Sequence, residues 1–117
     1  MKRDNDLLRR MLVNFEAQDD WLIVLPNSLG ATGLERTKAG HLRLMVYAGL
    51  VAQVGEGTYR LTNIGHDYLE AVRDEGIWKK TKQAVAETGG NATLEIVKSV
   101  AAGFLKKKLS QHTGIEL

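Results

Sequence analysis

Apolar residues near the start of the chain recur at the spacing of an amphipathic helix, from Asp4 to about Gln18. Asp4 or Asn5 is placed to cap the first turn of this helix with its side-chain oxygen. The positions expected on its buried face are Leu7, Leu8, Met11, Leu12 and Phe15. The pattern therefore predicts that the fold begins with a helix that packs along one face.

The next stretch predicts a strand, a loop and a second helix. Trp21 to Leu25 is β-branched and aromatic, which favours one short buried strand, and Asn27 to Gly33 follows as a glycine-containing loop. From Leu34 to Ala48 the apolar positions share one helical face, and Gly49 supplies the stop. The expected inner positions of this second helix are Leu34, Leu42, Met45 and Val46, with the stem of Lys38 beside them.

A hairpin and a third helix follow. Leu50 to Val54 and Thr58 to Leu61 are strand candidates around Gly55-Glu56-Gly57, whose glycines permit the positive φ of a tight connection. Thr62 is placed to cap the next helix. The expected apolar face of that helix is Ile64, Tyr68, Leu69 and Val72.

Two longer amphipathic helices complete the chain, Ile77 to Thr88 and Thr93 to Leu109, after an interruption at Asp74-Glu75-Gly76. Gly89-Gly90 ends the first of them, and Asn91 or Thr93 caps the second. The expected fold class is α+β and mainly helical: helix, strand, helix, hairpin, helix, then two C-terminal helices. We expect residues 1–74 to form one core and residues 75–117 to pack on it as a helical extension, within a single domain overall.

The middle of the chain resembles a known fold. The residues that carry the resemblance are His41 to Val51, read as a helix that runs into a strand, and Tyr59 to Gly65 followed by Leu69. They resemble the recognition helix, wing and following helix of a winged helix-turn-helix. The resemblance implies a winged helix-turn-helix core whose wing is the hairpin, but no function, because such folds also serve as protein-interaction modules.

The whole chain, to about residue 108, resembles a family of small uncharacterised proteins of phages, prophages and bacteria. Its opening residues match the pattern MKRD-x-D-L, and a later segment matches L-T-x-x-G-H-x-x-L-x-x-x-R-D followed by I-W-x-K-T-K. The matching residues are Met1 to Asp6, Arg9, Arg60 to Thr62, Gly65, His66, Leu69, Arg73, Asp74 and Ile77 to Lys82. The resemblance implies a winged-helix fold without an established activity or catalytic residues.

Composition narrows the class of protein. The 117 residues are 44% hydrophobic and 26% charged, with one proline and no cysteine, which is the composition of a globular domain without disulfides or thiolate sites. The opening MKRDNDLLRR is charged where a secretory signal is apolar, so we expect a cytoplasmic protein with no membrane span. The net charge of only +2 does not by itself argue for nucleic acid.

The outer face of the second helix is the candidate DNA-binding surface. Arginine can bind guanine edges or phosphates, tyrosine and threonine can donate to phosphates, and glycine allows close approach to the groove. The candidate residues are Arg36, Thr37, Gly40, Arg43 and Tyr47 on the helix and Arg60 in the hairpin. The alternative is a protein-interaction surface on the same helix, centred on Leu44 and Tyr47. Glu56 at the hairpin tip suits this alternative better, because an anion there repels DNA.

The remaining predictions concern assembly and chemistry. The two C-terminal helices exceed what a winged core needs, so we expect them to pair subunits in a homodimer that reads two half-sites. We expect no enzyme, cofactor or metal site, because His41, His66 and His112 have no partner at metal-ligand spacing. His66 and Trp78 are expected in the core, Arg73 and Asp74 as an ion pair or a cap, and Lys106 to Lys108 at the end of the last helix.

Overall fold

The computed structural model describes residues 1–24 and 33–116 and is α+β and mainly helical, as predicted. The chain divides into two compact units, Met1–Leu69 and Glu70–Leu117. The elements, in chain order, are α1 Asn5–Ala17, β1 Leu22–Val24, α2 Gly33–Tyr47, β2 Val51–Gly55, β3 Thr58–Leu61, α3 Asn63–Val72, α4 Glu75–Glu87 and α5 Leu94–Thr113.

Helix α1 begins where the sequence predicts. The Asp4 carboxylate accepts a hydrogen bond from the Leu7 backbone N–H at 3.1 Å, which satisfies one of the unpaired donors of the first turn. All five apolar residues predicted on the inner face are buried, and the side chain of Arg9 is buried with them. The 3.6-residue repeat was therefore a sufficient guide to the packed face of this helix.

The sheet is antiparallel, with strand order β1-β3-β2, so that β1 is an edge strand. The prediction of a fully buried strand is wrong, because Trp21 is 67% exposed, Val24 is 75% exposed and only Ile23 is buried. A strand of an antiparallel sheet that packs only one face on the core buries alternate side chains, even when its sequence is continuously apolar. The predicted end of this strand at Leu25 and the predicted loop from residue 27 to residue 32 lie outside the described residues.

Helix α2 buries only its C-terminal half. Leu42 and Met45 are buried as predicted, and Val46 is half-buried. Leu34 is 62% exposed and Lys38 is exposed, so the prediction that both lie on the inner face is wrong. His41 is fully buried instead, because the packed part of α2 starts only at that residue. Its ring nitrogens are hydrogen-bonded to the backbone of Asp4 and Thr37, which makes the burial of a polar ring possible.

The hairpin connection is shorter than predicted. An irregularity in register between Gln53 and Gly55 places Gly55 opposite Thr58, so Gly55 belongs to β2 and Glu56-Gly57 forms the connection. Gly57 has a φ of +69°, in the left-handed region that favours glycine. The predicted strands are otherwise confirmed.

Thr62 joins the hairpin to α3. Its hydroxyl accepts a hydrogen bond from the Gly65 N–H at 3.0 Å, as predicted for a cap, and donates to the Gly49 carbonyl. Gly65 is buried, whereas Ile64 is 54% exposed, so the prediction that Ile64 faces the core is wrong. The missing side chain of Gly65 lets the helix backbone contact Leu50, and this approach turns Ile64 towards solvent.

The second unit is built on α4 and α5, which pack together. The Asp74 carboxylate accepts from the Ile77 N–H at 2.9 Å as the cap of α4, and it binds Lys108 Nζ at 2.6 Å. Both hydrogen bonds lower the pKa of Asp74 below its ordinary value, and the bond from Lys108 has the larger effect. Thr93 caps α5, as predicted, by accepting from the Ile96 N–H.

Two predictions about side chains of this unit have opposite outcomes. Ile77, Trp78 and Thr81 of α4 are buried, which confirms Trp78 as a core residue. The lysine cluster Lys106 to Lys108 does not close the last helix, because α5 continues to Thr113 before Gly114 caps it. The helix extends because residues 109–113 contain neither glycine nor proline.

Within the described residues, no helix is both long enough and apolar enough to cross a membrane.

Candidate nucleic-acid interface

The outer face of α2 presents three of the predicted residues to solvent. Arg36 and Arg43 are exposed, and Tyr47 is 77% exposed. Residues 36, 43 and 47 follow one another at intervals of seven and four, which places them along one stripe of the helix. Leu44 lies half-buried beside this stripe. The stripe carries two guanidinium groups and one phenol, all donors suited to phosphates or base edges.

Thr37 is already engaged within the helix. Its hydroxyl donates to the Gly33 carbonyl at 2.9 Å, and its own carbonyl accepts from the ring of His41. The hydroxyl would give up its bond to Gly33 in order to donate to a phosphate. Thr37 is therefore a weaker candidate contact than either arginine of the stripe.

Gly40 is covered by a residue that the sequence did not indicate. A Cβ built on Gly40 would lie 2.8 Å from Sδ and 2.9 Å from Cε of Met1. The missing side chain thus provides the room in which the methionine packs against α2. A groove of DNA that approaches Gly40 would meet Met1 first, so Met1 either joins the interface or moves aside.

His41 anchors the first residues of the chain to α2. The Asp4 backbone N–H donates to His41 Nε2 at 2.7 Å, and His41 Nδ1 lies 2.8 Å from the Thr37 carbonyl. Since a carbonyl only accepts and a backbone N–H only donates, Nδ1 carries the proton and the ring is neutral. This histidine links the start of α1 to α2. Sequence reasoning could have assigned it this role only by predicting that the two helices are in contact.

Arg60 lies in β3 with its side chain exposed, between Leu22 on one neighbouring strand and Ala52 on the other. Its guanidinium carbon lies 5.7 Å from the centre of the Trp21 ring, within the range of a cation–π contact. Trp21 therefore positions the one basic side chain of the hairpin. Glu56 at the tip is exposed, so the end of the hairpin carries a negative charge.

The histidine predicted in the core at position 66 is exposed instead. Its side chain is 51% exposed, and Nδ1 lies 3.9 Å from an Oε2 oxygen of Glu16 on α1. The prediction of a packed His66 is wrong, because residue 66 follows the buried Gly65 and points away from the approach to Leu50. In the part of the chain that the structure describes, no three His, Asp or Glu side chains are grouped to hold a metal ion.

Comparison with known proteins places this small α+β chain in a family. Residues 2–91 match the family described as "Hypothetical protein (DUF2513)". The chain is also similar to an "Uncharacterized protein" of Haemophilus influenzae (strain ATCC 51907 / DSM 11121 / KW20 / Rd), with 28% identity over 120 residues that cover 94% of this chain and all of that protein. No solved structure matches the chain significantly. Because the family match covers most of its length, the chain belongs to the DUF2513 family.

Proposed function

We propose that this protein is a winged-helix, DNA-binding-like protein in which α2 is the recognition helix and the β2–β3 hairpin is the wing. The observation that carries the proposal is the solvent-exposed stripe of Arg36, Arg43 and Tyr47 on the helix that leads directly into the hairpin. The element order up to α3 and the strand order β1-β3-β2 support it, because both suit a helix presented beside a small sheet.

The chemistry of the stripe favours contacts from α2 over contacts from the wing. Arg43 and Arg36 can each form paired hydrogen bonds to a guanine edge or clamp a phosphate. Arg60 adds a phosphate contact beside the sheet, with its orientation set by Trp21. Glu56 repels the DNA backbone at the tip. We propose a cofactor-free accessory regulator, of phage, prophage or bacterial origin, that binds double-stranded DNA mainly through α2.

A homodimer completes this proposal. Helix α5 is 20 residues long and leaves Ile96 at 49% and Leu109 at 42% exposed. The two side chains lie thirteen residues apart on different sides of the helix, and we assign the pairing of two copies of the chain to the face that carries Leu109. Paired copies would read two half-sites about one DNA turn apart.

Fluorescence anisotropy with duplex DNA tests the role of α2. We expect binding at about 50 mM salt that weakens steeply by about 200 mM, because each phosphate contact releases counterions. Arg43→Ala should weaken DNA binding by roughly 5- to 100-fold, the effect of losing a base or phosphate contact. The control is Lys107→Ala, which removes an exposed lysine of α5 and should weaken DNA binding less than about twofold. No binding at low salt, or equal losses in the two variants, would refute the proposal.

The second candidate function is a protein-interaction module that uses the same helix. The observation in its favour is the 77% exposure of Tyr47, next to the apolar Leu44, together with the acidic hairpin tip. Exposed tyrosines are frequent anchors of protein interfaces. A pull-down after nuclease treatment should then retain one stoichiometric protein partner. The Tyr47→Ala variant should no longer bind this partner, and the Arg43→Ala variant should still bind it. Loss of DNA binding in Arg43→Ala without any such partner would favour the first function.

A further inference from the structure

The opening segment, residues 1–4, crosses α2 from its buried side to its exposed side. The Asp4 backbone N–H donates to Nε2 of His41 at 2.7 Å, and the His41 side chain is fully buried. Three residues earlier, Sδ and Cε of Met1 lie 2.8 and 2.9 Å from the position that a Cβ on Gly40 would take. Because adjacent residues of a helix point in different directions, these two contacts lie on different sides of α2. Residues 2 and 3 span the distance between them.

The exposed end of the opening segment lies on the stripe. Gly40 comes four residues after Arg36 and three before Arg43, and this spacing makes it a surface neighbour of both arginines. Met1 is seated over Gly40, and its side chain is still 72% exposed. A DNA duplex that contacts both arginines must therefore also meet the opening segment.

Lys2 is the side chain of this segment that is best placed to bind a phosphate. It is exposed, and the described residues provide no hydrogen-bond or ionic partner for its ammonium group. Arg3 is half-buried, and its Nε already donates to Oδ1 of Asn5 at 3.1 Å. The Asp4 carboxylate accepts from the Leu7 N–H, where the positive end of the α1 dipole offsets its charge. The segment thus adds one uncommitted cation next to the stripe.

We propose that Lys2 binds a DNA phosphate as an extension of the α2 interface, and that His41 is the positioning residue that holds the opening segment against α2. This inference rests on the proposed DNA binding by α2 and adds a further contact to that interface. A segment that is already fixed to α2 loses little conformational entropy on binding, so its lysine contributes more than one on a mobile segment would. Since a phosphate contact carries no sequence information, Lys2 raises the affinity for duplexes of any sequence.

Fluorescence anisotropy with duplex DNA at several salt concentrations tests the contact. Lys2→Ala should weaken DNA binding by about 3- to 10-fold at about 100 mM salt and reduce the steepness of the salt dependence by about one phosphate contact. The matched control is Lys38→Ala, which removes an exposed lysine from the opposite side of α2 and should change the affinity less than about twofold. Unchanged or tighter binding of Lys2→Ala would show that the segment only covers α2, and would overturn the proposal. Equal losses in the two variants would overturn it as well.

Arg43→Ala, measured in the same titration, separates this inference from the proposed function. If Arg43→Ala weakens DNA binding and Lys2→Ala does not, the proposed function stands and the contact of Lys2 is refuted. If the wild type does not bind DNA at low salt, both are refuted.

Two substitutions of His41 test its positioning role. His41→Leu removes the acceptor for the Asp4 N–H, whereas His41→Gln keeps a side-chain oxygen that can accept from it. In the His41→Leu background, we expect Lys2→Ala to weaken DNA binding less than about twofold, because the lysine is no longer held beside the stripe. In the His41→Gln background, Lys2→Ala should keep its full effect. Equal effects of Lys2→Ala in the two backgrounds would refute the positioning role.

NMR relaxation of ¹⁵N in the wild-type protein tests the same role without a variant. The backbone N–H groups of Arg3 and Asp4 should have order parameters of about 0.85, the value of a rigid backbone. Order parameters below about 0.6 would show that the opening segment moves freely before DNA binds, and would overturn the positioning by His41.

Discussion

At the scale of single residues, one glycine sets how closely α3 approaches the start of the hairpin. Gly65 is buried, and a Cβ added to it would overlap the carbonyl group of Leu50. The obstacle is backbone, which cannot move aside by changing a rotamer as a side chain can. Gly103 of α5 has the opposite environment, with nothing within 4 Å of an added Cβ.

These two helical glycines give a matched pair of substitutions. Gly65→Ala should lower the free energy of unfolding by about 2 kcal/mol or more, because the overlap outweighs the better helix propensity of alanine. Gly103→Ala should raise it by about 0.5–1 kcal/mol, because only the propensity changes. Urea denaturation measures both. A gain of stability in Gly65→Ala would contradict the close approach to Leu50.

Tyr68 is a second residue whose environment has a measurable consequence. Its side chain is 1% exposed, and its hydroxyl has no hydrogen-bond partner among the described residues. Burial raises the pKa of Tyr68 from 10.0 to about 12, against a smaller lowering effect of the Arg3 charge. The unfolded chain therefore loses this proton at a lower pH than the folded protein does.

The raised pKa of Tyr68 predicts a loss of stability at alkaline pH. The stabilisation is complete below pH 10 and is lost between pH 10 and about 12, where only the unfolded state ionises. Wild type should lose roughly 2–3 kcal/mol more than Tyr68→Phe over this range in urea denaturation. Tyr47→Phe, at an exposed position, should follow wild type. An identical pH dependence of wild type and Tyr68→Phe would rule out the burial of an ionisable phenol.

At the scale of elements, Thr62 connects three of them through one side chain. Its hydroxyl receives the Gly65 N–H of α3 and donates to the carbonyl of Gly49, at the end of α2, while its backbone N–H donates to Leu50. One hydroxyl thus satisfies a donor and an acceptor that helix ends leave unpaired. The cap was predictable from sequence, but the bond to Gly49 was not, because it spans thirteen residues.

Removal of the Thr62 hydroxyl should destabilise the fold. We expect Thr62→Ala to lower the free energy of unfolding by about 1–2 kcal/mol, and Thr62→Ser to recover most of that loss, because serine keeps the hydroxyl. Chemical denaturation of the three proteins provides the comparison. Equal losses in the alanine and serine variants would assign the effect to the methyl group instead.

At the scale of the whole molecule, the proposed dimer depends on the face of α5 that carries the exposed Leu109. Leu109→Asp should lower the fraction of dimer in sedimentation equilibrium, because a charge in an apolar contact must be desolvated. Lys107→Asp introduces the same side chain two residues away, on the opposite side of the helix, and should leave the dimer unchanged. A monomeric wild type, or equal effects of both variants, would remove the dimer from the proposed function.

The sequence by itself determined those features of the fold that depend only on residues close to one another along the chain. The helices, the hairpin and the caps at Asp4, Thr62 and Thr93 follow from local spacing and from side chains that reach a backbone N–H three residues ahead. The exposed stripe on α2 was predictable for the same reason, because residues 36, 43 and 47 share a helical face whatever the helix packs against.

Only the tertiary structure decided those features that depend on contacts between residues far apart along the chain. The burial of His41 and the exposure of Ile64 depend on which part of each element meets another, and helical periodicity does not contain that information. The cover of Met1 over Gly40 joins residues far apart in sequence. Spacing along the chain fixes which side chains share a face, whereas packing fixes which of those faces are covered.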